Sequence, residues 1–244
     1  MSKLNSSFGY TKVNPKEKTK LVQKVFSKVA KNYDLMNDLM SFGSHRFWKK
    51  KFVEIINPKK NEIIIDIGSG TGDIAKNILK TKFNGELHLL DLNSQMLNIG
   101  KSTIRKNKNV YFHQGNAEDL KFKNNTFDKY AIAFCLRNIT NIEKSIEEAL
   151  RVLKPGGIYF CLEFSSPNSI LTSQLYKKYR TRTLPLIGKL IAKNKEAYKY
   201  LSESIDLFPN QEKLKYIIEK IGFSSVSYIN LFDGIVAIHK GYKI

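Results

Sequence analysis

Apolar positions change their period twice along the 244 residues. From Asn14 and Pro15, a helix cap and a first-turn proline, the run to Asn32 sets Leu21, Val22, Val25, Phe26 and Val29 on one face and lysines elsewhere, the spacing of an amphipathic helix. A second helix is predicted from about Ser44, using Phe47, Trp48, Phe52, Val53 and Ile56. Phe26, Met36, Phe47 and Trp48 are expected in the core, with only some of them lining a ring pocket. From residue 62 the pattern alternates. Strand-like runs at Glu62–Ile67, Glu86–Asp91, Val110–Gln114, Phe127–Leu136 and Ile158–Phe164 are separated by helical ones, among them Ser94–Asn107 and Asn141–Leu153. That alternation predicts a parallel sheet with crossover helices on both faces. Lys154-Pro155-Gly156-Gly157 is read as the turn that ends the last of these helices. Ser224–Leu231 and Gly234–His239, with only Phe232 and Asp233 between them, must form an antiparallel hairpin. The expected fold is α/β: a doubly wound, mostly parallel seven-stranded sheet closed by an antiparallel C-terminal hairpin. Its divisions are an N-terminal helical cap (1–60), a ligand-binding core (61–168), a helical lid (169–208) and a terminal helix with the hairpin (209–244). In the lid, Tyr176, Tyr179, Leu184, Leu186, Ile187 and Tyr198 are the residues expected to cover an apolar route.

Composition narrows the setting. With 42% hydrophobic residues the chain can offset the entropy of ordering a core. Only Cys135 and Cys161 occur, both in apolar runs, so no disulfide framework and no cysteine-built metal site is expected. No run is long enough to span a bilayer, and the first residues, MSKLNSSFGYTK, carry no export or import signal, which leads to the expectation of a soluble protein in a reducing compartment. The net charge is +19, distributed as +10 over residues 1–60, +2 over 61–174 and +7 over 175–244. Basic flanks suit anionic lipid or nucleic acid. Lysines outnumber arginines 35 to 6, however, which equally fits a compositional bias, because phosphate recognition leans on arginine's planar fork.

The most specific local chemistry lies after the first strand of the sheet. Asp66-Ile67-Gly68-Ser69-Gly70-Thr71-Gly72-Asp73 stands between a strand and a helix, where glycines allow a tight turn and close approach of a ligand, with free N–H groups of the helix beyond. A dinucleotide fingerprint needs glycine at 73. A carboxylate there opposes a pyrophosphate, so a ligand without diphosphate is favoured over a nicotinamide cofactor. Asp91 ends the second strand, 19 residues after Gly72, where a carboxylate can accept two hydrogen bonds from a ribose diol. Asn116 and Ala117 follow the third strand and offer an amide and backbone groups to an adenine edge. Ribose, adenine and a small zwitterion beside Asp66, Gly68 and Gly70 together describe S-adenosylmethionine. The plainer alternative is that Asp66 and Asp91 cap loops and Asn116 closes a turn.

Two longer stretches narrow this further. Residues 33–49, YDLMNDLMSFGSHRFWK, and 137–157, RNITNIEKSIEEALRVLKPGG, closely resemble the two signatures of the ubiquinone/menaquinone biosynthesis C-methyltransferase family, and the similarity runs from about Phe8 to the terminal His239-Lys240-Gly241-Tyr242-Lys243. The resemblance implies a class I, Rossmann-like methyltransferase. The reaction it implies moves a methyl group from S-adenosylmethionine to a ring carbon of a polyprenyl benzoquinol or of demethylmenaquinol. It carries cofactor contacts to Thr71, Asp91, Asn116 and Ala117. Many members have serine where this chain has Ala133, so a contact there would pass through backbone. Phe8-Gly9-Tyr10 and the C-terminus look more like the ubiquinone-making bacterial members. Implied partners are the quinol substrate and a membrane surface, with a homodimer or a quinone-synthesis complex left open and no nucleic acid. The implied location is cytoplasmic, on the inner face of a bacterial plasma membrane.

Ring methylation needs an ionised neighbouring hydroxyl, and holding a phenol of pKa near 10 as phenolate at pH 7 costs about three pKa units, roughly 4 kcal/mol. Arg137, after the fourth strand, is the candidate cation for that charge, with Asn138 orienting a quinol oxygen and Tyr33 hydrogen-bonding the ring oxygen. Arginine is a poor base, so His45, Asp38, Asp34 or a water must take the proton. Against these roles, Arg137 can be satisfied by an internal salt bridge and His45 or Asp38 by capping. The rival readings are an RNA or other nucleic-acid methyltransferase, suggested by the charge, and a non-catalytic scaffold of quinone synthesis. The first lacks an Asn/Asp-Pro-Pro-aromatic motif and a cysteine following proline.

Overall fold

The computed structural model describes residues 6–104, 107–183 and 195–244. In chain order the elements are β1 (Ser6–Phe8), β2 (Thr11–Val13), α1 (Pro15–Val29), α2 (Tyr33–Ser41), α3 (Ser44–Ile56), β3 (Ile63–Ile67), α4 (Asp73–Leu79), β4 (Glu86–Asp91), α5 (Ser94–Thr103), β5 (Val110–Gln114) and β6 (Phe127–Ala133). Then follow α6 (Ile142–Val152), β7 (Leu153–Phe164), α7 (Ile170–Lys178), α8 (Lys195–Leu207), α9 (Gln211–Ile221), β8 (Ser224–Leu231) and β9 (Val236–Tyr242). Leu184, Leu186 and Ile187, expected in the lid, lie outside the described residues.

The seven-stranded sheet has the order β5-β4-β3-β6-β7-β9-β8, parallel except for β9, which runs antiparallel to both of its neighbours. This is the expected doubly wound sheet with its closing hairpin. Strand order reverses between β3 and its neighbours β4 and β6, and there the loops at the carboxyl ends part to leave a crevice. Successive strand residues serve opposite faces. Ile64, Leu89, Ala131, Phe160 and Ile238 pack with Trp48, Phe52 and Ile56 of α3 and Ile74 and Ile78 of α4 on one face. Ile65, Leu90, Ile132 and Cys161 pack on the other with Ile146 and Ala149 of α6 and Leu214 and Ile218 of α9.

Asn14 caps α1, its side chain accepting the Glu17 N–H at 2.9 Å, with Pro15 in the first turn. Four expectations change. The hairpin β1–β2 and helix α2 add elements to the N-terminal segment. Lys154–Gly157 does follow the helix, yet it belongs to β7: Gly156 N–H donates to Lys243 O at 2.7 Å and Lys243 N–H to Gly157 O at 2.9 Å, so the early part of the strand pairs through a bulge. Phe47 is half exposed rather than in the core, its ring edge-on to Phe232 of the hairpin turn. Phe26 is only partly buried, because its face of α1 roofs a cleft.

Candidate active site

The loop after β3 turns on three left-handed glycines, Gly68, Gly70 and Gly72, with φ of 64°, 54° and 83°. A Cβ at Gly68 would overlap the Cys135 thiol, and one at Gly72 would overlap Ile104. The loop is anchored to β4: Gly68 and Ser69 N–H donate to Leu90 O at 2.7 and 3.1 Å, and Gly70 N–H donates to Asp91 Oδ2 at 2.8 Å. The other oxygen of Asp91 accepts the Asn93 N–H at 2.7 Å. Burial nevertheless pushes the Asp91 carboxyl above its usual range, since two amide bonds do not fully replace water.

Two clefts open over this loop. The first, about 820 Å³ and open to solvent, lies between the glycine loop, Asp91, Asn116, Ala117 and the Cys135–Thr140 turn, roofed by Val22, Phe26 and Tyr33. Its walls are mainly apolar, with polar groups at few points, the character of a small-molecule site. Asn116 uses its carbonyl to accept the Glu118 N–H at 3.0 Å, which leaves the amide nitrogen for a ligand. The second, of about 640 Å³, shares Tyr33, Gly68, Gly70, Ala133 and Phe134 with the first and continues to Asp66, Thr71, His45, Lys49 and Arg137.

Asp66 is the site's unresolved charge. It is 1% exposed, and its Oδ2 is buried without a partner. Burial first, then Asp91 and Asp73, raise its pKa well above the carboxylate range. A buried carboxyl facing a cleft without a counter-ion suits an incoming ammonium, just as the spare lone pairs of Asp91 suit a diol. Asp73 differs. Lys49 holds it at 2.6 Å and Lys76 at 3.4 Å, so its charge is spent within the fold. Thr71 Oγ1 donates to Asp34 at 3.3 Å, linking the loop to α2.

The turn after β6 carries Arg137 and Asn138. Phe134 begins it in the left-handed region, φ 52°, and both side chains hang on the Phe134 carbonyl: Arg137 Nη1 at 2.7 Å and Asn138 Nδ2 at 3.4 Å. Arg137 is buried and also donates to Glu163 Oε1 at 2.7 Å, its guanidinium lies 5.2 Å from the Phe164 ring centroid, and its Nε has no partner. The internal salt bridge therefore forms, while Arg137 still lines the second cleft. Asn138 lines the first, its Oδ1 accepting the Tyr200 hydroxyl at 3.0 Å.

His45 Nε2 lies 2.8 Å from Asp38 Oδ1, and Asp38 also accepts Arg46 Nε and Nη2 at 2.7 Å each. Arg46 and then His45 hold the Asp38 carboxyl well below its ordinary value, so it stays ionised and accepts a hydrogen bond from the His45 Nε2–H. His45 Nδ1 is buried without a partner. Burial and the Lys49 ammonium lower the His45 pKa against the pull of Asp38, so the ring is neutral at pH 7.

The residues proposed from sequence thus gather along two joined clefts, with Asp38 set behind His45. Sequence reasoning missed Glu163, Lys49, Phe134 and Tyr200. Glu163 had a signal, an acid inside the apolar run Ile158–Phe164; Tyr200 had none, because only tertiary folding brings it to Asn138.

A parallel sheet extended by an antiparallel hairpin in this order, with a cleft over its switch point, defines the class I methyltransferase fold. A SAM-dependent methyltransferase of Thermotoga maritima has the same fold, with a TM-score of 0.63 and 20% identity over 91% of this chain and all of its own. The chain belongs to the ubiE/COQ5 methyltransferase family, whose model matches residues 12–243. The ubiquinone/menaquinone biosynthesis C-methyltransferase UbiE of Zymomonas mobilis is 46% identical over 240 residues, 98% of each chain. That of Rickettsia bellii is 48% identical over 246 residues, 98% of this chain and 99% of its own.

Proposed function

We infer that the protein transfers a methyl group from S-adenosylmethionine to a ring carbon of a quinone precursor, a 2-polyprenyl-6-methoxy-1,4-benzoquinol, a demethylmenaquinol or both. The observation that carries this reading is that a diol-and-amide wall, Asp91 and Asn116, and the Arg137–Asn138 turn border joined clefts in a chain matching the family over residues 12–243. When bound, S-adenosylmethionine supplies an electrophilic methyl on a sulfonium. Asp66 holds its ammonium, Asp91 its ribose, and Asn116 with Ala117 its adenine. Gly68, Gly70, Thr71 and the backbone of Ala133 enclose the rest.

The chain's remaining task is the roughly 4 kcal/mol needed to ionise the ring hydroxyl. The hydrogen that the methyl group replaces on the ring carbon then leaves as a proton and restores aromaticity. His45 is the proton acceptor: Asp38 fixes its tautomer, leaving Nδ1 with the lone pair. Asp38, held ionised by Arg46 and engaged on both oxygens, orients His45 and takes no proton itself. Arg137 stabilises the phenolate by donating hydrogen bonds, its net charge tempered by Glu163, and Asn138 orients the oxygen with its free amide hydrogen. Tyr33, whose hydroxyl burial pushes up to about 12, stays protonated and donates to the ring oxygen. Since His45 titrates below the usual imidazole range, turnover stays flat from neutral pH down to about 6.5 and falls as pH drops further.

No helix among the described residues is long and apolar enough to cross a membrane. A peripheral location is supported by α7, none of whose residues is buried: it presents Ile170, Leu171 and Leu175 beside Lys177 and Lys178, near the exposed rings of Phe47 and Phe232. Purified protein with methyl-labelled S-adenosylmethionine, short-chain benzoquinol and naphthoquinol, and RNA is expected to label a quinol. Label in RNA alone overturns the assignment, and cofactor binding without label in any acceptor leaves a scaffold.

A further inference from the structure

We propose that Tyr200 is a positioning residue for the quinol, acting through Asn138, and that hairpin β1–β2 is the strap that holds it in place. The inference rests on the reading of Asn138 given above. A backbone carbonyl can only accept, so the Asn138 contact with Phe134 O turns its amide nitrogen that way and its oxygen toward Tyr200. The Tyr200 hydroxyl, itself buried, then donates to that oxygen and locks the amide, leaving one N–H for a ligand oxygen. Without Tyr200 the buried oxygen has no donor, and only the long 3.4 Å contact with Phe134 O holds the amide.

Tyr200 has no freedom of its own. Its ring stacks on Phe8 of β1, centroids 4.3 Å apart and planes 12° apart. The hairpin turns at Gly9, φ 56°, where a Cβ would overlap the Glu203 carboxylate. Tyr10 follows, its N–H donating to Glu203 Oε2 at 3.2 Å and its hydroxyl to Asp206 Oδ2 at 2.7 Å. Asp206 also pairs with Arg180, which donates to Ser202 O at 2.9 Å. Three contacts one turn apart on α8, at Tyr200, Glu203 and Asp206, thus receive three consecutive hairpin residues, and the opposite end of the link is a side chain lining the cleft.

The test uses the full chain, titrated with S-adenosylmethionine and assayed with a short-chain quinol. Tyr200→Phe keeps the ring and the stack and removes only the donor. Its kcat is expected to fall about 10- to 100-fold, as for a small misplacement of an orienting group, with cofactor affinity changed less than about twofold. Gly9→Ala loosens the strap with Tyr200 intact and is expected to lower kcat in the same direction. Because both act through one amide, the double variant falls no further than Tyr200→Phe. Wild-type turnover in Tyr200→Phe, effects that multiply in the double variant, or kcat, cofactor affinity and melting temperature all falling together would overturn the inference alone. A wild-type protein that methylates no quinol removes it together with the functional reading.

Discussion

Asp66 shows how a single residue can report on its ligand. Its folded pKa is raised, so above the ordinary carboxylate range of about 4 the native protein still holds a proton that the unfolded chain has released. An ammonium arriving beside it favours the ionised form, so at a pH where the free protein still holds that proton, cofactor binding expels it. Calorimetric titration with S-adenosylmethionine should therefore give enthalpies that differ between buffers of high and low ionisation heat. Asp66→Asn should abolish the difference and weaken binding about tenfold or more, the loss of a charge-assisted hydrogen bond. Equal enthalpies in all buffers with the wild type would detach Asp66 from the cofactor. Residues of this kind are legible in sequence because backbone constraint surrounds them: the glycines around Asp66 and Asp91's place at a strand end follow from local geometry. Tyr200 is not, and Glu163 shows only as an acid in an apolar run, since their roles come from partners 62 and 26 residues away.

At the scale of elements, the sheet was legible because buried strands need long apolar runs and their order follows from crossover connections. Helix α2 was readable in principle, with Leu35, Met36, Leu39 and Met40 at helical spacing. Hairpin β1–β2 was not: strands of three residues show no period, and these are fixed by Tyr10 gripping α8. Helix α7 poses the converse case, an element whose apolar residues find no core. Asp233 caps its start through Ser169, so the helix is held at one end while Leu171 and Leu175 stay 67% and 60% exposed. Replacing both with Asp should leave stability within about 1 kcal/mol, as expected for surface sites. It should cut binding to phosphatidylglycerol vesicles at least tenfold, since each leucine buried in lipid contributes about 1.5–3 kcal/mol. Undiminished co-sedimentation would exclude this face as the membrane contact.

For the whole molecule, the consequence lies in acid stability. All four histidines, His45, His88, His113 and His239, have pKa values lowered first by burial, so the native state refuses protons that the unfolded chain accepts below about pH 6.5. Asp66, Asp91 and Glu163, with raised values, act in the opposite direction, so a raw pH–stability curve mixes both signs. His239 separates them. It is 1% exposed under the closing hairpin, its Nε2 donates to Gln211 O at 2.9 Å, and its pKa falls to about 4 although Glu212 and that carbonyl pull upward. From pH 6.5 down to 4 the unfolded chain binds this proton and the native state does not, and the gap of about 2.5 units removes about 3 kcal/mol of stability. His239→Gln keeps a donor for Gln211 and cannot titrate, so its cost at pH 7 reflects packing alone. Measured by urea unfolding, the advantage of wild type over His239→Gln should shrink by about 3 kcal/mol between pH 7 and pH 4 and change little above pH 7. A constant difference across that range would mean that His239 takes up its proton without disturbing the sheet. The hairpin edge would then be open enough to hydrate, and the acid sensitivity of the fold would have to come from the histidines near the clefts and on the β4–β5 edge.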